Sequence, residues 1–158
     1  ARLPVADLKP LDSNALVLEV LSLYGEETAA VPVHADLDEQ CPRVMGDALQ
    51  LRQVIHNLLQ NAQDATPSER AHLGVILRTQ WVASSGRVRL TVMDHGSGFP
   101  EHILQRAFEP YITTKPRGTG LGLAMVRSIV TQMGGSIECT SELGQGTTFT
   151  LRLPCGQT

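Results

Sequence analysis

The chain has 158 residues, of which 13 are basic, 16 are acidic and 42% are apolar; this fits one globular domain and excludes a disordered chain. The net charge of −3 argues against a nucleic-acid-binding module, because such modules need a basic surface to meet phosphates. No apolar stretch reaches the ~18 residues of a transmembrane helix. The three cysteines lack CxxC spacing, so they predict neither a disulfide framework nor a zinc site and favour a reducing, cytoplasmic setting.

The spacing of apolar residues predicts helices segregated from antiparallel strands. In chain order we expect a helix beginning at 12 or 13, a strand over 31–37, a helix over 47–65, a hairpin over 73–82 and 87–93, a glycine-rich loop over 94–122, a helix over 121–133 and closing strands over 136–141 and 147–153. The helix over 47–65 follows from a capping box, Asp47 with Gln50, before a long apolar stripe. The pattern favours a layer of helices on one face of a sheet.

Polar side chains share one face of the helix predicted over 47–65. Asn57, Asn61 and Asp64 are spaced i, i+4 and i+7, opposite the apolar stripe. Amide oxygens at this spacing can bind Mg²⁺ or its water shell, because Mg²⁺ prefers oxygen ligands. A solvated helix face is the simpler interpretation of these residues alone.

Two glycine-rich segments can bring the backbone close to a ligand. Asp94 directly follows a predicted strand and begins the segment Asp-His-Gly-Ser-Gly over 94–98, where its carboxylate can accept a hydrogen bond from an adenine amine and the glycines admit a flat ligand. The segment Gly-Thr-Gly-Leu-Gly over 118–122 runs into a helix whose N-terminal N–H groups favour a phosphate, and Thr114 and Lys115 precede it. A capped turn and a flexible hinge are the alternative interpretations, since neither segment matches a P-loop or GxGxxG.

The order and spacing of these segments resemble the nucleotide-binding boxes of the sensor histidine kinase catalytic domain, in the superfamily shared with gyrase, heat-shock chaperones and mismatch-repair ATPases. The boxes are matched by 53–62 (N box), 94–98 (G1 box), 108–111 (F box), 118–123 (G2 box) and 144–149 (final glycine box). The resemblance covers about 12–154. The short segment between Pro110 and Gly118 is similar to the ATP lid of the nitrogen-regulation-type kinases.

The resemblance implies a two-layer α/β sandwich with a mixed, mostly antiparallel sheet, helices on one face, and ATP bound between the helices and the lid. It implies Asn61 as the Mg²⁺ ligand, Asn57 as its neighbour on the phosphate side, and Asp94 as the direct contact of adenine. The expected nucleotide contacts are Asn61, Asp64, Asp94, Gly96, Gly98, Phe108, Thr114, Lys115, Gly118, Thr119, Gly120, Leu121, Gly122, Leu123 and Thr148. Asn57, Asn61 and Lys115 are expected to act in phosphoryl transfer.

One position separates two types of enzyme in this superfamily. The ATP-hydrolysing relatives carry a Glu four residues before the Mg²⁺-binding Asn, where it activates water, whereas this chain carries Asn57. An amide cannot usefully take a proton from water. The resemblance therefore implies that the site protects ATP from hydrolysis and reserves it for transfer.

The resemblance also implies what surrounds the domain in its parent protein. Residues 12–158 would be the catalytic and ATP-binding domain, and 1–11 a linker remnant from a missing dimerisation and phosphoacceptor domain, since no histidine here lies in an acceptor motif. His56, inside the N box, is expected to be structural. The γ-phosphoryl would pass to a His of the missing domain and on to a response regulator. Dimerisation belongs to the missing hairpin, so a homodimeric parent is implied and a monomeric fragment is compatible with it.

Other functions remain open at this point. An anti-sigma-type serine kinase of the same superfamily is one alternative, and a nucleotide-sensing module without transfer activity is another. A purely structural α/β domain would require all the boxes to be coincidence. The sequence leaves open whether the cytoplasmic domain belongs to a parent anchored in the inner membrane.

Overall fold

The computed structural model describes residues 5–24, 30–109 and 122–155. Its strands are β1 (Lys9–Leu11), β2 (Val33–Leu37), β3 (Val44–Gly46), β4 (Val75–Val82), β5 (Arg87–Met93), β6 (Ser136–Glu142) and β7 (Gly146–Pro154), and its α-helices are α1 (Ser13–Leu21), α2 (Ala48–Ala65), α3 (Glu101–Leu104) and α4 (Gly122–Gln132). Two 3₁₀-helices lie at Ser22–Tyr24 and Ser68–Leu73. No helix within the described ranges combines the length and apolar composition needed to cross a bilayer.

The main sheet has five strands in the order β2-β4-β5-β7-β6. Only β2 and β4 pair in parallel, and the other neighbours are antiparallel. The expected mixed, mostly antiparallel sheet is therefore confirmed. A second sheet joins β1 to β3; β3 was not predicted, and it brings Lys9–Leu11, within the range assigned to a linker remnant, into contact with the domain.

The core lies between one face of the main sheet and the helices α1, α2 and α4. Side chains alternate along each strand, so Leu77, Leu90 and Leu151 are fully buried on the same face. The apolar stripe of α2, which includes Leu51 and Leu58, is fully buried against it. The two-layer sandwich expected from the sequence is confirmed, and the opposite face of the sheet is left without helices among the described residues.

Local signals fixed the ends of the helices much as expected. Asp47 caps α2, because its Oδ1 accepts a hydrogen bond from the backbone N–H of Gln50 at 3.1 Å. Asp12 caps α1 in the same way through Ala15. Gly134, at φ +81°, follows the end of α4 in the left-handed conformation that favours glycine. The short helix α3 lies inside the segment predicted to be loop.

Candidate nucleotide site

Asp94 is buried at the end of the central strand β5. The residue is 6% exposed. Its Oδ1 accepts hydrogen bonds from the backbone N–H groups of Gly96, at 2.8 Å, and Thr147, at 3.1 Å. Its own N–H donates to the carbonyl of Thr147 at 2.9 Å. Within the described part of the chain Oδ2 accepts no hydrogen bond, so this oxygen is available to a donor on a ligand.

The surroundings of Asp94 favour a ligand that donates a hydrogen bond. Burial raises the pKa of this carboxyl, and the N–H groups of Gly96 and Thr147 offset only part of that effect. A donor placed at Oδ2 would stabilise the ionised form further, and an exocyclic amine is such a donor. Asp94 is thus placed as the sequence predicted, after a strand and at the start of a glycine turn.

The threonine beside Asp94 is Thr147. Thr148 pairs with Met93 in the ladder between β5 and β7, and alternation turns both side chains to the face of the sheet that lacks helices. Thr147 is buried on the helix-covered face, and its hydroxyl lies 2.8 Å from the hydroxyl of Ser141. Thr147 thus meets Asp94 through its backbone N–H, and Thr148 lines the same cleft as Asp94. The expected contact of Thr148 near the adenine stays a prediction.

The first glycine of the G1 box is required by the end of helix α2. A Cβ on Gly96 would lie 2.6 Å from the carbonyl oxygen of Ala65, a distance that no side chain tolerates. That carbonyl accepts a hydrogen bond from the N–H of Ser97 at 3.0 Å. Gly96 therefore admits the backbone at the end of α2, and the expected approach of the G1 glycines to a flat ligand stays a prediction.

The turn between β6 and β7 packs equally closely on the G1 box. A Cβ on Gly98 would lie 2.3 Å from the carbonyl oxygen of Glu142, and one on Gly146 would lie 2.2 Å from that of Asp94. Both residues have positive φ, +72° and +140°, which also favours glycine. The glycines thus let three backbone segments meet around the carboxylate of Asp94.

Arg70 joins two of these segments and was missed in the sequence analysis. Its Nε donates to the carbonyl of His95 at 2.6 Å, and its Nη2 donates to the carbonyl of Gln145 at 3.3 Å. The guanidinium therefore bridges the G1 box and the turn between β6 and β7. A single arginine in a 3₁₀-helix has no spacing or neighbours that could have revealed this contact from the sequence.

The two amide side chains that the sequence analysis places on the phosphate side of the site lie together on α2. Asn61 Nδ2 lies 3.5 Å from Asn57 Oδ1, so the two residues share a face as predicted. A Cβ on Gly122, the first residue of α4, would lie 2.9 Å from Asn57 Oδ1. Asn57 therefore contacts the N-terminus of α4, where unpaired N–H groups favour an anion. Asp64 lies further along α2 and accepts a hydrogen bond from Gln60 at 3.0 Å.

Two further predicted contacts pack on the core. The ring of Phe108 meets that of Phe149 edge to face, with centroids 6.3 Å apart, and Leu123 in α4 is partly buried against the same cluster. His56 is exposed on α2, and its Nδ1 lies 2.9 Å from the hydroxyl of Tyr24.

Part of the predicted site lies outside the described residues. These predictions concern Pro110 and Tyr111 of the F box, Thr114 and Lys115, and Gly118, Thr119, Gly120 and Leu121 of the G2 box. The expected lid lies in the same stretch.

A cleft of about 450 Å³ borders Asp94 but does not reach the amides of α2. It is lined by Met93, Asp94, His95, Thr140, Ser141, Glu142, Gln145, Gly146, Thr147 and Thr148. Met93, Thr140 and Thr148 belong to the face of the sheet without helices. The cleft therefore joins the surroundings of Asp94 to the face of the sheet without helices, and Asn57, Asn61 and the start of α4 lie outside its lining.

Comparison with known proteins agrees with this arrangement. Residues 46–157 match the family model described as histidine kinase-, DNA gyrase B-, and HSP90-like ATPase. The chain belongs to this family. Over 93% of its length it is 38% identical to the sensor histidine kinase ZraS of Escherichia coli, and over 92% it is 40% identical to the two-component sensor PprA of Pseudomonas aeruginosa. It spans 31% of ZraS and 16% of PprA.

Solved structures of histidine kinases have the same fold. The full-length kinase ShkA in complex with AMPPNP matches with a TM-score of 0.83 and 30% identity, over 100% of this chain and 33% of ShkA. The nucleotide-free catalytic domain of ThkA matches with a TM-score of 0.78 and 29% identity, over 94% of this chain and 95% of that domain. Together with the sensor kinase relatives, these matches identify the chain as the ATP-binding domain of a sensor histidine kinase.

Asp94→Asn should weaken ADP binding without loss of folding. The amide keeps an acceptor for Gly96 and Thr147 but presents donors to the adenine amine, which removes a charge-assisted hydrogen bond of about 1.5–3 kcal/mol and about 10- to 150-fold in affinity. Titration calorimetry measures the change.

Stability provides the control for this variant. Because the folded-state pKa of Asp94 is raised, the stability linked to its protonated form is present below the unfolded-state pKa and is lost as pH rises through the folded-state pKa. Asp94→Asn should therefore unfold at neutral pH no more easily than the wild type. An unchanged dissociation constant for ADP in the folded variant would move adenine recognition to another residue.

Arg70→Met should also weaken ADP binding, by up to about 30-fold, because it removes two hydrogen bonds of about 1 kcal/mol each that hold the G1 box in place. The G1 box should open more often, so amide hydrogen exchange at Gly96 and Ser97 should quicken. Arg43→Met, at an exposed loop position, is the matched control. Wild-type ADP affinity and exchange in folded Arg70→Met would show that the bridge does not position Asp94.

Proposed function

We propose that this domain transfers the γ-phosphoryl group of ATP to a histidine on a dimerisation domain outside this chain, for relay to a response regulator. The observation that carries the proposal is Asn57: an amide lies against the N-terminus of α4, at the position where hydrolysing relatives hold a Glu. Among the described residues Asn57 contacts Asn61 and Gly122, and none of these groups can accept a proton from water. ATP bound here would persist until an acceptor arrives.

Different residues of the site would bind the adenine and the phosphates of ATP. Asp94 would accept the adenine amine, and the N-terminus of α4, with Asn57, would face the phosphates. An imidazole nitrogen of the acceptor would form the new bond to the γ-phosphorus while the bond from that phosphorus to the bridging oxygen of ADP breaks. The acceptor is its own nucleophile, so the domain needs to position the phosphoryl group and exclude water, without a general base.

Mg²⁺ fits this site as a partner of ATP. The described residues contain no group of three or more His, Cys, Asp or Glu side chains able to hold a metal, and among them the ligands that we consider are the amide oxygens of Asn61 and Asn57. Such neutral oxygens suit an ion that keeps waters and phosphate oxygens as its other ligands. When bound, Mg²⁺ neutralises charge on the phosphates. Asn61 is the ligand we propose, with Lys115 as the cation on the phosphate side.

The relatives support a proposal about the parent protein. The named relatives are sensor kinases, which favours a histidine kinase over an anti-sigma-type serine kinase. We propose a homodimeric parent with its phosphoacceptor hairpin before residue 12, a short-lid subfamily of the nitrogen-regulation type, and a cytoplasmic position for this domain. The remaining expected contacts of ATP belong to the same proposal: Asp64, Gly96, Gly98, Phe108, Thr114, the segment 118–123 and Thr148.

The amides of α2 test the proposal. Wild-type domain at saturating Mg²⁺–ATP should release phosphate barely above background. Asn57→Glu installs a carboxylate one helical turn before Asn61 and should raise that rate. Asn61→Ala should weaken the binding of ATP more than the binding of adenosine, because it removes an oxygen that would face the Mg²⁺ ion and not the adenine base. Gln40→Ala, at an exposed turn position away from α2, is the matched control.

Two results would contradict the proposed function. Robust phosphate release by the wild type would assign the chain to the ATPase branch of its family. Equal loss of adenosine and ATP binding in Asn61→Ala would make Asn61 a structural residue and place the ion elsewhere.

A further inference from the structure

Arginines are concentrated on the face of the main sheet that the helices leave uncovered. Val88, Leu90 and Val92 are buried against the helices, so alternation turns Arg87 and Arg89 of β5 to the other face. By the same alternation this face also holds Arg78 of β4 and Arg152 of β7, whose strand neighbours are buried. It lies opposite the nucleotide site, and the proposed function makes no use of it.

Five charged side chains cross all five strands of this face in one row. The order is Asp36, Arg78, Arg89, Arg152 and Glu138, on β2, β4, β5, β7 and β6. Each end of the row is an ion pair: Arg78 Nε lies 2.8 Å from Asp36, and Arg152 Nη1 lies 2.7 Å from Glu138. The row is therefore basic at its centre and acidic at both ends.

Arg89, at the centre, has no counter-ion among the described residues. It lies directly opposite Arg152 in the register of β5 and β7 and diagonally from Arg78 on β4. Like charges directly opposite each other destabilise a sheet. In addition, Arg89 Nε is buried without a hydrogen-bond partner, which costs free energy that a typical native structure avoids. One anion at this point would relieve both costs.

We propose that this face binds an acidic segment of a partner protein, with a carboxylate of the partner accepting hydrogen bonds from Arg89 and its two flanking arginines. The planar guanidinium is suited to bidentate binding of a carboxylate. The flanking ion pairs are partly exposed, with side-chain exposures of 36–65%, and such pairs contribute little to stability. Arg78 and Arg152 can therefore leave these ion pairs and contact a partner at a small cost in free energy.

The charge pattern and the shape of the face favour a protein over a small anion. The row lies on a sheet surface that also carries Gln80, Thr91 and Thr150, side chains that can hydrogen-bond to a polypeptide. Its acidic ends match a partner whose acidic centre has basic flanks. Because nucleotide binds on the opposite face, the partner and ATP can be bound at the same time.

The test uses this chain and a blocked hexaglutamate peptide, with blocked hexaglutamine as the uncharged comparison. At low salt, hexaglutamate should cause saturable amide shifts centred on 78, 89–91 and 150–152, with ADP present or absent. Arg89→Met should weaken this binding about tenfold, whereas Arg127→Met, exposed on α4 in the helix layer, should leave it unchanged. Screening in 0.5 M salt, where the Debye length falls to roughly 4 Å, should abolish the shifts.

Thermal unfolding separates binding from a structural role of Arg89. Removing a like charge and an unpartnered buried donor should leave the midpoint of Arg89→Met at or above that of the wild type. Shifts spread over other faces, equal shifts with hexaglutamine, or unchanged hexaglutamate affinity in Arg89→Met would each overturn the proposal. A midpoint of thermal unfolding several degrees below that of the wild type would also overturn it, since Arg89 would then stabilise the fold.

Discussion

The proposed nucleotide site depends on one buried carboxylate, that of Asp94, held by two backbone N–H groups from distant parts of the sequence. Gly96 and Thr147 both donate to Asp94 Oδ1, which leaves Oδ2 to a ligand. For both donors to reach one oxygen, the G1 box, the end of α2 and the turn between β6 and β7 must approach within backbone contact. The glycines at 96, 98 and 146 allow that approach, and Arg70 joins two of the segments from outside.

The helix α2 connects the two ends of the site. Its stripe of buried leucines fixes it on the sheet, and its last residue, Ala65, accepts a hydrogen bond from the G1 box. Two turns earlier, Asn57 contacts the first residue of α4. A rigid element of 18 residues therefore holds Asp94 and the start of α4 at a fixed separation, which the proposed positioning of a phosphoryl group requires.

Local signals in the sequence were enough to predict α2, α4, the hairpin of β4 and β5 and the position of Asp94, because periodicity, caps and turns act over a few residues. Non-local contacts could not be predicted in this way. The strand β3 depends on pairing with β1, and the face of the sheet on which Thr147 and Thr148 each lie depends on the register of β7. Arg70 donates to carbonyls that are 25 and 75 residues away along the chain. The glycines were recognised, but their main neighbours are backbone atoms that only the fold brings close.

The most direct measurement is the pKa of the Asp94 carboxyl, followed by ¹³C NMR in the free domain and with bound nucleotide. If the carboxylate accepts the adenine amine, the pKa is raised in the free protein and falls when ADP binds, because the new hydrogen bond favours the ionised form. Inosine diphosphate, which carries a carbonyl in place of the amine, should bind more weakly and leave the pKa raised. A pKa that does not respond to ADP, or that responds equally to both nucleotides, would contradict adenine recognition by Asp94.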